Sequence, residues 1–353
     1  MALPTQQISR QFSETVFDFA PGVLLCASVA VAAFLLAPWV AKALPIPAMV
    51  LALVIGIALN PLAREARFEP GIAFCVRTVL RWAVALLGLR VALSDIAALG
   101  LGTGVIIVVS MTFTLLSGFL FARMSGRGAG FGALVGSATA VCGASATLAT
   151  STVVPNYPGK DADIAFVVIA VNALATLTMV LYPPLCVLLG FDAQSTGVML
   201  GGTIHDVAQV VGAGYAANEV AGNTAVVVKL FRVFLLLPVV LGVGYYFATQ
   251  GAKHGKAKVP VPVFALVFLA LCLLNSAMPL MPPLMPAFTP VKSGLVEASN
   301  WGLLIAIGAL GLGTSISAII AFGWRPVATV VASTIVIFVL VTGALILLRL
   351  SAV

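Results

Sequence analysis

Charge is scarce in this chain. Of its 353 residues only 8% are Asp, Glu, Lys or Arg, against about 25% in an ordinary soluble domain. That little charge cannot hydrate the surface of a globule this size, so a water-soluble fold is excluded. Histidine is rarer still, at two residues, His205 and His254. A metalloprotease would need an HExxH run, and there is none. A serine protease would need a Ser–His partnership that only these two could supply. No enzyme and no catalytic residue is expected. The GxxxxGK[ST] loop of a nucleotide motor is missing, and the loops are too short to hold a nucleotide domain. Five cysteines, at 26, 75, 142, 186 and 272, form no CxxC pair, which leaves no zinc site and no disulfide framework. No metal or cofactor is expected. The formal charge is +7, yet the basic residues sit singly in short loops, so nucleic acid is not a partner.

What is present is apolar. Hydrophobic residues make up 61% of the chain and the mean hydropathy is +1.18. A helix needs about 20 mostly apolar residues to cross the hydrocarbon core. The pattern predicts an all-α polytopic membrane protein with about eleven spans, near 20–41, 46–60, 72–94, 101–122, 129–153, 163–188, 197–215, 223–248, 260–279, 297–319 and 326–348. Residues 1–19 read as a cytoplasmic segment before a retained helix without a cleavage site. Residues 20–348 read as one transmembrane transporter domain, and 349–353 as a short tail. Arg10, Arg64, Arg67, Arg123, Arg127, Lys253, Lys256, Lys258 and Arg325 gather on one side; Lys42, Lys160, Lys292 and Arg349 gather on the other. The basic excess puts the N-terminus in the cytoplasm and the C-terminus in the periplasm of a bacterial inner membrane.

Two internal echoes suggest inverted repeats. The stretch from Trp82 resembles that from Trp301, and the two helices run oppositely in this topology. GALVGSATAVCGASA from Gly132 resembles GVMLGGTIHDVAQVV from Gly197, yet eleven spans make this second pair parallel. Either a span is miscounted or the second echo is shared small-residue composition.

Polar residues at bilayer depth carry the chemistry. The glycine-rich run from Gly128 to Ser151 encodes a continuous helix weakly, since each Gly costs about 1 kcal/mol relative to Ala. It reads either as close helix packing through small residues or as a broken helix around Thr139, Cys142, Gly143 and Ser145. The broken form would offer free N–H groups and a positive half-helix end to an anion. His205 and Asp206 are adjacent in an otherwise apolar or small stretch, with Thr203 and Gln209 close by; a helix would put His205 and Gln209 on one face. Ionisable residues at such depth are expensive and suggest function, here coupling to a proton or Na⁺. Lys229 and Arg232 share a helix face deep within a span. They could snorkel to the headgroups or pair with Asp206 to fix packing; the functional reading is a binding site for an anion, with Arg232 offering a planar fork. Asn172 lies mid-span and Asn275 closes another, either of which could be a plain interhelical hydrogen bond. Arg77, Arg81 and Arg90 line one helix as headgroup or vestibule contacts.

CGASA at 142–146, GGTIHDVAQVVGAG at 201–214 and KLFR at 229–232 followed by Pro238 resemble the YeiH family of bacterial inner-membrane proteins, commonly labelled sulfate exporters. The likeness runs from about Pro21 to Leu348. The family often carries Glu where Asp206 stands, which keeps a carboxylate. The resemblance implies a secondary transporter of sulfate or a related anion, and kinship with inverted-repeat transporters that have crossing broken helices. By analogy it also implies a homodimer. The favoured reading is therefore a small-anion transporter working by alternating access. The competing one is a cation/proton antiporter with Asp206 as carrier; a passive channel lacks any ring-forming charged motif.

Overall fold

A computed structural model of the chain describes residues 5–40, 47–249, 263–313 and 324–351. Lys42, Lys253, His254, Lys256, Lys258 and the second half of the Trp301 echo lie outside the described residues. Everything described is helix or connection, without a strand. In chain order the principal helices are α1 (Thr5–Val40), α2 (Ala48–Ala58), α3 (Glu69–Leu89), α4 (Gly100–Met124), α5 (Ala129–Ala140), α6 (Ala144–Ser151), α7 (Lys160–Leu188), α8 (Ala193–Thr203), α9 (Val207–Ala217), α10 (Glu219–Phe234), α11 (Leu236–Thr249), α12 (Val263–Ala277), α13 (Met285–Gly313) and α14 (Trp324–Ser351). Eight helical stretches among the described residues are long and apolar enough to cross a membrane, α10 and α11 counting as one. Their outer faces carry bare apolar side chains such as Leu101, Val187 and Leu188, as lipid contact requires. The protein is an all-α polytopic membrane protein.

The chain has two compact units, residues 1–90 with 264–315 and residues 91–263 with 316–353. In the first unit α1, α2, α3 and α13 pack through glycines. A Cβ on Gly22 of α1 would lie 2.2 Å from the Phe68 carbonyl, and one on Gly56 of α2 would lie 2.5 Å from that of Gly308. Contact this close is open only to residues without side chains. Ser299 Oγ donates to the Ala83 carbonyl at 2.7 Å, and Arg90 Nη2 donates to Asn300 Oδ1 at 2.8 Å. Gly302 lies beside Ala83, and Gly313 beside Ile72. So α3 and α13 are antiparallel, as the Trp82 and Trp301 echo predicted for its described part. Arg77 and Arg81 lie on the exposed face of α3, and Asn275 accepts from Lys292 Nζ at 2.7 Å.

The second unit corrects the span count. The expected spans 129–153 and 197–215 do not cross; each turns back. A Cβ on Gly130, at the start of α5, would meet the Tyr157 ring and Val154, which follow the end of α6. The two arms of this first hairpin therefore begin and end on one face. Arg127 pairs with Asp163 of α7 on that face, and Ser125 Oγ meets Thr329 Oγ1 of α14 at 2.6 Å. The second hairpin enters from the other face. Gly197 and Gly201 of α8 pack on Ala221, Thr224, Ala225 and Val228 of α10, while Gly214 of α9 packs on Gly222. Thus α8 runs with α10, and α9 runs against both. Arg349 Nη1 donates to the Gly190 carbonyl at 2.8 Å on that side. With two spans removed, the Gly132 and Gly197 echo no longer joins parallel segments. It joins two re-entrant hairpins of opposite entry, each followed by a crossing helix (α7 and α10–α11), which is an inverted repeat. Lys160 also changes side. It follows the first hairpin and its Nζ donates to the Val154 carbonyl at 2.7 Å, so it joins the face of Arg127.

Both readings of the glycine-rich run hold together. Gly132 and Gly136 seat the first arm on Gly118 of α4, where a Cβ on Gly118 would lie 2.4 Å from the Gly136 Cα. The helix then breaks at Val141–Gly143. Gly143 has φ +62° and ψ −120°, a conformation that essentially only glycine adopts. The second hairpin breaks without a left-handed residue. Ile204 is extended, and Asp206 restarts the helix as an N-cap, accepting from the Ala208 amide at 3.3 Å. Asp192 caps α8 through the Ser195 amide at 2.7 Å, which holds its carboxyl below the usual carboxylate range. Asn218 caps α10 through the Ala221 amide at 2.8 Å.

Candidate functional site

The hairpin arms are short. At 1.5 Å per residue, α5 and α8 each descend about 16–18 Å, roughly half the hydrocarbon thickness. Entering from opposite faces, their tips meet near the middle. His205 at the second tip lies 3.2 Å, through Nδ1, from the Thr139 carbonyl at the end of α5. A carbonyl only accepts, so Nδ1 carries the proton of that bond. Nε2 meets the Thr334 hydroxyl of α14 at 2.8 Å. The imidazole is fully buried and belongs to the turn before α9, so it does not share a face with Gln209 as expected.

Where a helix stops, its last carbonyls lack partners and carry the negative end of the helix dipole. Two such ends, those of α5 and α8, face one another here in a medium without water. Lys229 and Arg232 of α10 answer both. Lys229 Nζ donates to the carbonyls of Val141 (2.7 Å), Ile204 (2.9 Å) and His205. Arg232 Nε donates to Ala140 (3.1 Å), Nη1 to Gly201 (2.9 Å) and Ile204 (3.0 Å), and Nη2 to Thr139 (3.0 Å) and Ala140 (2.9 Å). Both side chains are 0% exposed. An ammonium has three donors and a guanidinium five, so every one is occupied by backbone. The expected direct grip of Lys229 and Arg232 on an anion is not the arrangement found, and neither cation reaches for the headgroups. Their partners are the tips of both hairpins.

The other expected residues divide into two groups. The hydroxyls of Thr139 and Thr203 turn to their own helices, at 2.9 Å from the Val135 carbonyl and 2.6 Å from that of Met199. Cys142 and Gly143 are buried in the first tip, with the Cys142 sulfur in hydrogen-bonding reach of the Ala146 amide. Ser145 is exposed beside them, while Asp206 and Asn172 are half-buried. Gln209 Nε2 donates to Asn172 Oδ1 (3.2 Å) and Thr176 Oγ1 (3.3 Å) of α7. Ser145, Asp206 and Asn172, the accessible ones, lie by the first turns of α6 and α9, whose leading amides have no partner within the helix. Sequence reasoning missed Thr334, Thr176 and the clamped carbonyls. The Ser333-Thr334 pair inside the last span was the available signal for Thr334.

Comparison with known proteins agrees with this picture at the level of family. The family model described as conserved hypothetical protein 698 matches residues 21–330. The UPF0324 membrane protein TauZ of Paracoccus pantotrophus is 45% identical over 306 residues, covering 86% of this chain and 88% of its own length. A UPF0324 membrane protein of Chlorobaculum tepidum is 40% identical over 340 residues, covering 95% and 92%. One from Pseudomonas putida is 36% identical over 319 residues, covering 87% of each chain. No solved structure matches. With a family model spanning most of its length and relatives this similar end to end, the chain belongs to the UPF0324 family of membrane proteins, which fits its resemblance to the YeiH proteins.

Proposed function

We propose that the protein is a secondary transporter of a small anion, sulfate or a related sulfur oxyanion or sulfonate, with its site at the junction of the two hairpin tips. The observation that carries this reading is the use made of Lys229 and Arg232. Their eight donors lie on the carbonyl ends of α5 and α8, which cancels the negative poles at the junction. The positive pole at the start of α6 is left in place, while the Asp206 carboxylate caps that of α9. Helix N-termini bind anions through exposed amides and the dipole; the capping position of α6 is Gly143, which has no side chain, and the Cys142 sulfur reaches only the Ala146 amide. Ala144 and Ser145 there are open to approach. The cations act at one remove: they hold the amides in position and give the junction net positive charge.

The face of the first hairpin's base carries Arg123, Arg127, Lys160 and Arg325, and the opposite face of the same unit carries Arg349. By the bias of basic loops the first face is the cytoplasmic side of a bacterial inner membrane. Transport by alternating access is driven by ion or substrate gradients.

Anion-dependent thermal stabilisation of the purified protein tests the reading, because a ligand stabilises only the fold that binds it. Sulfate, sulfite and sulfonates, supplied as choline salts, are expected to raise the melting temperature. Ser145→Phe, which fills the approach to α6, is expected to abolish that rise while the ligand-free melting point stays put. No anion effect, or an effect unchanged by Ser145→Phe, would reject it. The half-buried carboxylate of Asp206 favours a second reading, cation/proton antiport. Proton flux driven by Na⁺ in proteoliposomes, indifferent to sulfate and lost in Asp206→Asn, would select that one.

A further inference from the structure

The His205 ring is set between two acceptors. The Thr139 carbonyl beside Nδ1 only accepts. The Thr334 hydroxyl beside Nε2 sends its own proton to the Val330 carbonyl at 2.9 Å. A neutral imidazole has one N–H, so it fits this setting only if the Thr334 hydroxyl turns from Val330 to Nε2. An imidazolium has two and fits it as it stands. The ring can therefore exchange one proton through one hydroxyl rotation, with both hairpin tips unmoved.

A row of hydroxyls leads to the ring along α14. Ser125 Oγ, half-buried at the end of α4, meets Thr329 Oγ1 at 2.6 Å. Ser333 lies one turn further on. It is 0% exposed, and its Oγ has no hydrogen-bond partner among the described residues. A buried hydroxyl of that kind asks for an explanation. Thr334 follows it and meets His205. The row begins on the face of Arg127 and ends at the centre.

The surroundings tie the proton to the anion. Lys229 donates to the His205 carbonyl, and Arg232 Nη2 shares the Thr139 carbonyl with Nδ1. Both cations oppose a third positive charge while the site is empty. The other ionisable neighbours are Asp206, next in the chain, and Cys142 of the first tip; the middles of α4, α7 and α14 carry no charged residue. The start of α6 is adjacent, since a Cβ on its cap Gly143 would lie 3.7 Å from the His205 carbonyl. An anion seated there offsets the two cations.

We infer that His205 takes up one proton when the anion docks at Ala144 and Ser145, and gives it back when the anion leaves. Nε2 gains the proton, the Thr334 hydroxyl turns to Val330, and no covalent bond in the protein breaks. The inference rests on the reading of the tip junction as an anion site, and it assigns the coupling ion that this reading leaves open.

Sulfate and propane-1-sulfonate, supplied as choline salts, stay ionised between about pH 8 and pH 6, so any pH dependence of their binding belongs to the protein. With the purified full-length protein, their apparent affinity from melting curves is expected to rise as the pH falls. The slope for one linked proton is up to about tenfold per pH unit. Adding either salt to weakly buffered protein should take up about one proton per chain, read with a pH dye. His205→Gln is expected to abolish both the slope and the uptake. Thr334→Val denies Nε2–H its acceptor and should abolish them too, while Thr334→Ser should keep them. Anion binding that ignores pH and takes up no proton would overturn the inference and leave the anion site standing. So would a slope that survives His205→Gln or, should that variant not fold, Thr334→Val. If neither salt stabilises the protein at any pH, the anion site itself falls and the inference with it.

Discussion

Lys229 and Arg232 stand one helical turn apart on α10 and share one acceptor, the Ile204 carbonyl, at 2.9 Å from Nζ and 3.0 Å from Nη1. Three residues is the spacing at which two side chains on a helix meet. Two like charges would ordinarily repel at this range. The backbone of two hairpin tips lies between them and binds both.

This sharing makes the two cations a unit. Lys229→Met strips Val141 and His205 of their charged donor but leaves Ile204 with Arg232. Removing one member of a buried ionic cluster costs about 3–5 kcal/mol, and either single substitution is expected to destabilise the protein on that scale. Measured by thermal or denaturant unfolding in detergent, the double substitution should depart from additivity by about 0.5–3 kcal/mol. Simple additivity would mean that the cations act separately. Arg232→Lys should fail as badly as Arg232→Met, since a point charge cannot span five acceptor contacts.

Gly143 is a position where backbone conformation and free space make opposite demands. A Cβ there would find ordinary room, 3.5 Å from Val171 and 3.7 Å from the His205 carbonyl, but φ is +62°. Gly143→Ala is expected to cost about 1–3 kcal/mol from backbone strain alone. Gly242 of α11, with nothing within 4 Å of its Cβ direction, is the control. Gly242→Ala should be neutral or slightly stabilising. Equal losses at both sites would show that the break at Gly143 is not needed.

The hairpins make a topological prediction that eleven spans do not. In a background without the five native cysteines, Gly128→Cys and Asn156→Cys flank the first hairpin; both positions are exposed. An impermeant maleimide should label them from the same side of oriented vesicles. Gln194→Cys and Ala217→Cys, flanking the second hairpin, should label together from the opposite side. Labelling of 128 and 156 from different sides would restore the crossing helix.

Much of this is legible in the sequence. The apolar composition sets the membrane class, and the glycines around Cys142 mark the first break. Hydropathy cannot say whether about twenty apolar residues cross or return, because a hairpin of two half-length arms buries the same side chains as one span. The clue at the second hairpin lay in polar punctuation. Asp192, Asp206 and Asn218 each begin a helix as its cap, and the interval between the last two is too short for a crossing. Lys229 and Arg232 stood out as deep cations. Their partners could not be read from sequence, since a carbonyl becomes an acceptor only where the backbone unwinds, and one half of that backbone lies some ninety residues away.

The clamp also limits how the molecule can rearrange. Were the tips to part, Lys229 and Arg232 could follow only one of them, and the carbonyls of the other would lose their charged donors in hydrocarbon, where an unpaired backbone group is costly. The joint between the hairpins is thus a rivet and not a door. Whatever passes the centre of this unit does so with both hairpins carried as one piece.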